Sequence, residues 1–357
     1  MSDQISKQLE TLVNGNHCSR ALNTAAIFSP QRVFKRSAAK LSIKFGEAET
    51  ITQQTGQRET ESTDLTLPLY AGSNPHVLRM REFLLQDQFN KAFVGVYVHG
   101  SLATGEEIAY SDFDALVIIK NETLRSPSAL ARACFRLSLA RNIMFAMDPL
   151  QHHGWFVIPE YQLQVYPESY LPVAALRDAK TITGDTALKL YPKLNPTHAR
   201  QFFDAICQQL QRELAGNQFR NNVYQLKSTL SKFFLLPAAY LQARHGRGVS
   251  KKESFDIARR DFDEDRWRIM DRCSEFREHW QYSISRTQRK ALSQTTLLRR
   301  MASKRFAPQL NEPMRHTFDD KATRSMIELT EQMQRALDVV DTDMQVPAKR
   351  AKVSDIT

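Results

Sequence analysis

The stretch VHGSLATGEEIAYSDFDALVII, Val98 to Ile119, decides how this chain is read. Its last five residues, ALVII (Ala115 to Ile119), are a short apolar run rich in β-branched side chains. FVGVYV (Phe93 to Val98), which leads into its start, is another. Runs of this length and composition favour strands over buried helices. Between them stand a glycine–serine turn, Gly100-Ser101, and two aspartates, Asp112 and Asp114. Glycine lets the backbone approach a ligand closely, and the N–H groups of a strand-to-helix turn can hold phosphate oxygens. With the period of two of a strand, Asp112 and Asp114 point to one face. Two converging carboxylates suit a hard dication such as Mg²⁺, and facing a phosphate-gripping turn they suit metal-assisted phosphoryl or nucleotidyl transfer.

Outward from this stretch, Val77, Leu78, Met80, Phe83 and Leu84 recur at helical spacing and predict a helix over 75–91. Ser126 and Pro127 read as the cap and first turn of a helix running to about Asn142. WFVI (Trp155 to Ile158) is a third strand-like run. Strands separated by helices predict an α/β unit with a mixed sheet over 75–175. From Asn195-Pro196 the pattern turns helical, with Phe202, Ile206, Leu210 and Leu214 as an i, i+4 stripe. Further helices are expected from Val223 to about His245, kinked at Pro237, from Lys251, and around Met326 to Val340. The expectation for 195–340 is therefore a helical domain. Residues 1–74 read as an amino-terminal extension, a short helix then a strand, with a mobile loop at 46–66; 341–357 reads as a disordered tail.

Composition bounds the function. The chain has 357 residues, 42% hydrophobic, with 49 Lys and Arg against 39 Asp and Glu, a formal charge of +10. That favours phosphate-bearing or polyanionic partners. Phe233 to Leu241, the best apolar stretch, is far short of the roughly 18 residues of a membrane span, and no secretory signal opens the chain. Cys18, Cys134, Cys207 and Cys273 are too scattered for a disulfide framework or zinc knuckle. A cytoplasmic, non-membrane protein is the expectation.

The segment from Val94 to Ile119 resembles the nucleotidyltransferase superfamily, with its polymerase-beta-like fold: a strand, Gly-Ser, a short helix, then Asp-x-Asp at the next strand. The compactness of Gly100 to Glu106 and Tyr110 to Asp114 is most similar to the bacterial branch that acts on small substrates. The resemblance implies a metal-bound nucleoside triphosphate, Mg²⁺ or Mn²⁺, in-line attack by a hydroxyl-bearing acceptor on the α-phosphorus, and release of pyrophosphate. It also implies a helical second domain closing over nucleotide and acceptor. Gly100 and Ser101 would bind the phosphates, and Asp112 and Asp114 would hold the metal.

The family's pattern calls for a third carboxylate, both metal ligand and base. Asp148, after Ile143 to Met147, is the first choice and Glu160 the alternative; Asp148 also reads as a turn initiator before Pro149. Consecutive His152 and His153 would point to opposite faces of a strand, so a metal pair is not expected there; a structural role in the loop is the first reading, and a hydrogen bond from one of them to phosphate or acceptor the alternative. Lys227, Lys232, Lys251 and Lys252 are the candidates to neutralise the triphosphate, with Lys227 and Lys232 taken as site residues. Two alternatives stand beside this reading. One is a nucleic-acid acceptor, suggested by Arg286, Arg289, Lys290, Arg299, Arg300, Lys304 and Arg305. The other is a non-catalytic nucleotide-binding or interaction module.

Overall fold

A computed structural model describes residues 2–14, 37–42, 44–45, 61–293, 302–303 and 305–345. The loop at 46–60, Cys18, the basic residues Arg299, Arg300 and Lys304, and the tail beyond 345 lie outside these residues. Helix α1 is Ser2–Val13 and strand β1 is Thr63–Thr66. Helix α2, Pro75–Leu85, is capped by Asn74, whose side chain accepts from the His76 and Val77 N–H groups; it buries Val77, Met80 and Leu84. It stops short of the expected residue 91 because Asp87 and Gln88 take left-handed conformations, φ 54° and 56°.

Then come β2 (Phe93–Val98), α3 (Ser101–Thr104), β3 (Ala115–Ile119), α4 (Asn121–Arg125) and α5 (Pro127–Met147). Ser126 caps α5 as expected, and the helix runs on through Ile143 to Met147. Strands β4 (Phe156–Pro159), β5 (Tyr166–Pro167), β6 (Lys180–Gly184), β7 (Ala187–Leu190) and β8 (Pro192–Lys193) complete this half.

The main sheet is mixed, in the order β4-β3-β2-β6, with β2 antiparallel to both β3 and β6, and β3 parallel to β4. Strand periodicity divides β3 between two layers. Ala115, Val117 and Ile119 join a core with residues of α1, α2 and α5, while Leu116 and Ile118 join a second core with Tyr166, Leu176, Leu188 and Leu190. Covering both faces explains why β2 and β3 read as unbroken apolar runs rather than alternating ones. The amino-terminal segment belongs to this packing: Asn14 Oδ1 accepts from the Trp155 N–H (2.9 Å) and its Nδ2 donates to the Trp155 carbonyl (3.1 Å). Residues 37–42 and 44–45 are helical where a strand was expected, and they bury Leu41 and Phe45.

The second half is largely helical: α6 (Pro196–Ala215), α7 (Val223–Phe233), α8 (Leu236–His245), α9 (Lys251–Arg259), α10 (Glu264–Glu278), α11 (Arg286–Leu292), α12 (Glu312–Thr317) and α13 (Asp320–Gln345). The inward stripe of α6 is Phe203, Ile206, Leu210 and Leu214; Phe202, expected in it, is 39% exposed, one residue out of phase. Pro237 opens α8 instead of kinking a longer helix, since proline lacks the N–H that an interior position must donate. Among the described residues no helix is long and apolar enough to cross a membrane.

Candidate metal centre

Register brings the site together. Val98 at the end of β2 faces Ala115 at the start of β3, and Leu116 faces Phe156 at the start of β4. The Gly100-Ser101 turn, Asp112 with Asp114, and His152 with His153 therefore all leave the sheet at one edge. Extending the parallel β3–β4 register backward sets Asp112 beside His152. Accordingly, His152 Nδ1 lies 3.7 Å from Asp112 Oδ2.

Gln151, buried, fixes the aspartates. Its Oε1 accepts from the Phe113 N–H (3.0 Å) and its Nε2 donates to the Phe113 carbonyl (2.9 Å), a strand-like clamp on the residue between Asp112 and Asp114. The same Nε2 reaches the His153 carbonyl at 3.2 Å, so one side chain ties the Asp-Phe-Asp segment to the histidines. Phe113 itself is sunk in the core. Sequence reasoning passed over Gln151, and only the pairing geometry reveals it.

Gly100 has φ 68° and ψ −153°, a region that only glycine enters without strain, and a Cβ there would stand 3.9 Å from Asp114 Oδ2. The turn and the second aspartate are thus neighbours. Asp114 Oδ1 is buried with no hydrogen-bond partner among the described residues. Ser101 donates its hydroxyl to Ser111 Oγ at 3.0 Å, and Ser111 Oγ in turn accepts from the Ile108 N–H.

The helical half reaches in through α7. Lys227, fully buried, donates to Asp112 Oδ1 (2.9 Å) and Asp148 Oδ2 (2.7 Å). Burial works against its charge, but the two carboxylates more than offset it, so the ammonium is held above the ordinary lysine range. Asp148 is pushed up to about 6, by burial first, against the pull of Lys227. Its other oxygen accepts from the Leu150 N–H at 2.9 Å, so Asp148 also shapes the turn at Pro149. Tyr110 seals the junction: its hydroxyl donates to the Lys227 carbonyl (3.0 Å), lies 2.8 Å from Ser231 Oγ, and its ring stands 5.0 Å from the Lys227 ammonium.

The remaining candidates separate. Lys232 bonds both oxygens of Glu213, at 3.0 and 3.1 Å. Lys252 pairs with Glu106 on the surface. Glu160 accepts from the Asn121 N–H (2.9 Å) at the opposite end of β3 from the aspartates. Lys251, by contrast, stands with its ammonium 5.4 Å from the Phe234 ring centroid and feels the charges of Asp114 and Asp112. It is accessible to water yet crowded by protein, which pushes it down to about 8, with Arg277 adding to the effect and Asp114 and Asp112 opposing it.

His152 and His153 depart from expectation. Residues 151–155 are not strand, so the two rings lie side by side, centroids 3.9 Å apart, and one atom each of Asp112, His152 and His153 all fall within 4.8 Å of one another. This cluster is capable in principle of coordinating a metal ion. Burial, then His153 and the nearby lysines, hold His152 well below its ordinary range, leaving it neutral with a free lone pair.

The chain matches no protein-family model, no curated protein and no solved structure. The mixed sheet, the helical half and the Asp/His/His cluster are the features on which a function must be argued.

Proposed function

We propose that the chain is a metal-dependent nucleotidyltransferase, which moves a nucleoside monophosphate from a nucleoside triphosphate to a hydroxyl-bearing acceptor and releases pyrophosphate. The observation that carries this reading is the junction of the Gly100 turn with Asp114, whose buried Oδ1 has no partner among the described residues, at the same sheet edge as Asp112. An unpaired buried carboxylate oxygen is costly, and a cation satisfies it. The donor set fits a divalent ion in charge as well: three carboxylates against the single Lys227 ammonium leave two negative charges, before Lys251 is counted.

In this reading Asp112 and Asp114 hold the ion, which when bound neutralises phosphate charge and orients the triphosphate. Gly100 keeps the backbone free of a side chain where phosphate oxygens approach, and Lys251 supplies a mobile positive charge from the helical half. Asp148 acts at one remove, anchoring Lys227 against Asp112. The acceptor enters from a cavity of about 650 Å³ lined by Ala109, Trp280 and Tyr282; Trp280 packs edge-on against Tyr110, ring centroids 5.0 Å apart, and the Tyr110 hydroxyl bonds the Lys227 carbonyl. The neutral lining amides Gln281, Gln288 and Asn311 suit a polar, uncharged acceptor better than a nucleic-acid backbone.

Incubation with each α-labelled nucleoside triphosphate and Mg²⁺ or Mn²⁺, with and without cell extract, tests the proposal. Label should pass to an acceptor in the wild type and not in Asp114→Asn. Equal transfer by the two proteins would refute it.

A further inference from the structure

We propose that Asp112, His152 and His153 form a site for a first-row transition dication of the zinc class, in preference to Mg²⁺. Lys227 occupies Asp112 Oδ1, which leaves Oδ2 turned toward the imidazoles. The 3.7 Å from that oxygen to His152 Nδ1 is too long for a hydrogen bond. It is close to the roughly 3.4 Å edge between two ligands of a tetrahedral zinc ion with ordinary bond lengths. The His152 side chain is 8% exposed, yet neither of its ring nitrogens has a hydrogen-bond partner among the described residues. Buried polar atoms are rarely left so, and coordination satisfies one of them.

The backbone explains how consecutive histidines serve one point. Gly154 follows them, and a Cβ there would stand 2.0 Å from Asn14 Oδ1. Asn14, just after helix α1, therefore presses against the chain at Gly154, while Gln151 holds the His153 carbonyl. The turn between is held out of strand geometry, and both rings face Asp112.

The chemistry of the donors sets the metal. Imidazole favours zinc, iron, copper and nickel, whereas Mg²⁺ prefers oxygen alone and sheds water reluctantly. Two histidines and one carboxylate form a recurring catalytic zinc set, and the exposure of His153 leaves a side open for water or substrate. The site shares Asp112 with the function proposed above but stands on these three side chains and not on nucleotide transfer.

The test uses the full chain stripped with a chelator, without nucleotide. Zn²⁺ is titrated in competition with a chromophoric chelator, Co²⁺ by its visible absorption, and Mg²⁺ by calorimetry. One Zn²⁺ per chain is expected, bound at least about 100-fold more tightly than Mg²⁺. His153→Gln, whose exposed side chain lies outside the core, should weaken Zn²⁺ binding at least about tenfold at an unchanged melting temperature. His152→Gln should weaken Zn²⁺ binding by a similar factor. Zn²⁺ bound no more tightly than Mg²⁺, or Zn²⁺ bound equally well by both variants, as at an adventitious surface site, overturns the inference. Nucleotide transfer by a chain that fails to bind Zn²⁺ removes this site and leaves the proposed function; Zn²⁺ binding without transfer does the reverse.

Discussion

Replacing Lys227 with Met probes the junction directly. The ammonium is fully buried between Asp112 and Asp148, and methionine keeps the length of the side chain while deleting its charge. Two buried carboxylates then lose the lysine that bonds both of them. Removing one partner of a buried pair costs about 3–5 kcal/mol. Part of this is recovered, because Asp148, at about 6 with the ammonium beside it, rises further once Lys227 no longer pulls it down, and takes up a proton near neutrality. The expected loss is therefore near the lower end, about 3 kcal/mol, or about 4 °C in melting temperature for a chain of 357 residues. Its pH dependence has a definite sign. A carboxyl whose folded pKa lies above its ordinary 3.8 holds its proton more tightly in the folded state, so its contribution to stability falls as pH rises from about 4 to about 6. In Lys227→Met that window extends upward, so the deficit against wild type should be larger at pH 8 than at pH 5. Urea denaturation at both pH values measures it. The Lys227→Met, Asp148→Asn double variant should lose less than the summed single losses by about 1–3 kcal/mol. A Lys227→Met protein melting within about 2 °C of wild type, or strict additivity, would refute the argument.

Two further outcomes follow from the same cleft. Lys251, at about 8, should carry its charge below that pH and lose it above, so triphosphate affinity should fall as pH rises through 8; isothermal titration across pH 7 to 9 should show a flat profile for Lys251→Met. Gly100→Ala should destabilise the protein by about 1–3 kcal/mol through its positive φ alone, since the nearest atom to an added Cβ is 3.9 Å away; a melting temperature equal to wild type would show that the turn relaxes freely.

Local sequence was enough to mark the strands Phe93–Val98 and Ala115–Ile119, the caps at Ser126 and Asn195, and the helical character of the second half. Each of these rests on residues near in the chain: a β-branched run, a capping side chain, an apolar stripe. The polar strands Thr63–Thr66 and Lys180–Gly184 carried no such signal, because their pairing partners, not their own composition, make them strands. The placing of the candidate site divides in the same way. Asp112 and Asp114 stood out by spacing, whereas their surroundings were set by residues 38 to 115 positions away: Gln151 clamping the Phe113 backbone between them, His152 beside Asp112, and Lys227 arriving on Asp112 from a helix of the other half. A period of two can say which face a carboxylate takes, but not which charge meets it there. The irregular turn at His152-His153 was invisible for the same reason, since it is set by Asn14 against Gly154 and by Gln151, contacts that exist only once the sheet, α1 and α7 have packed.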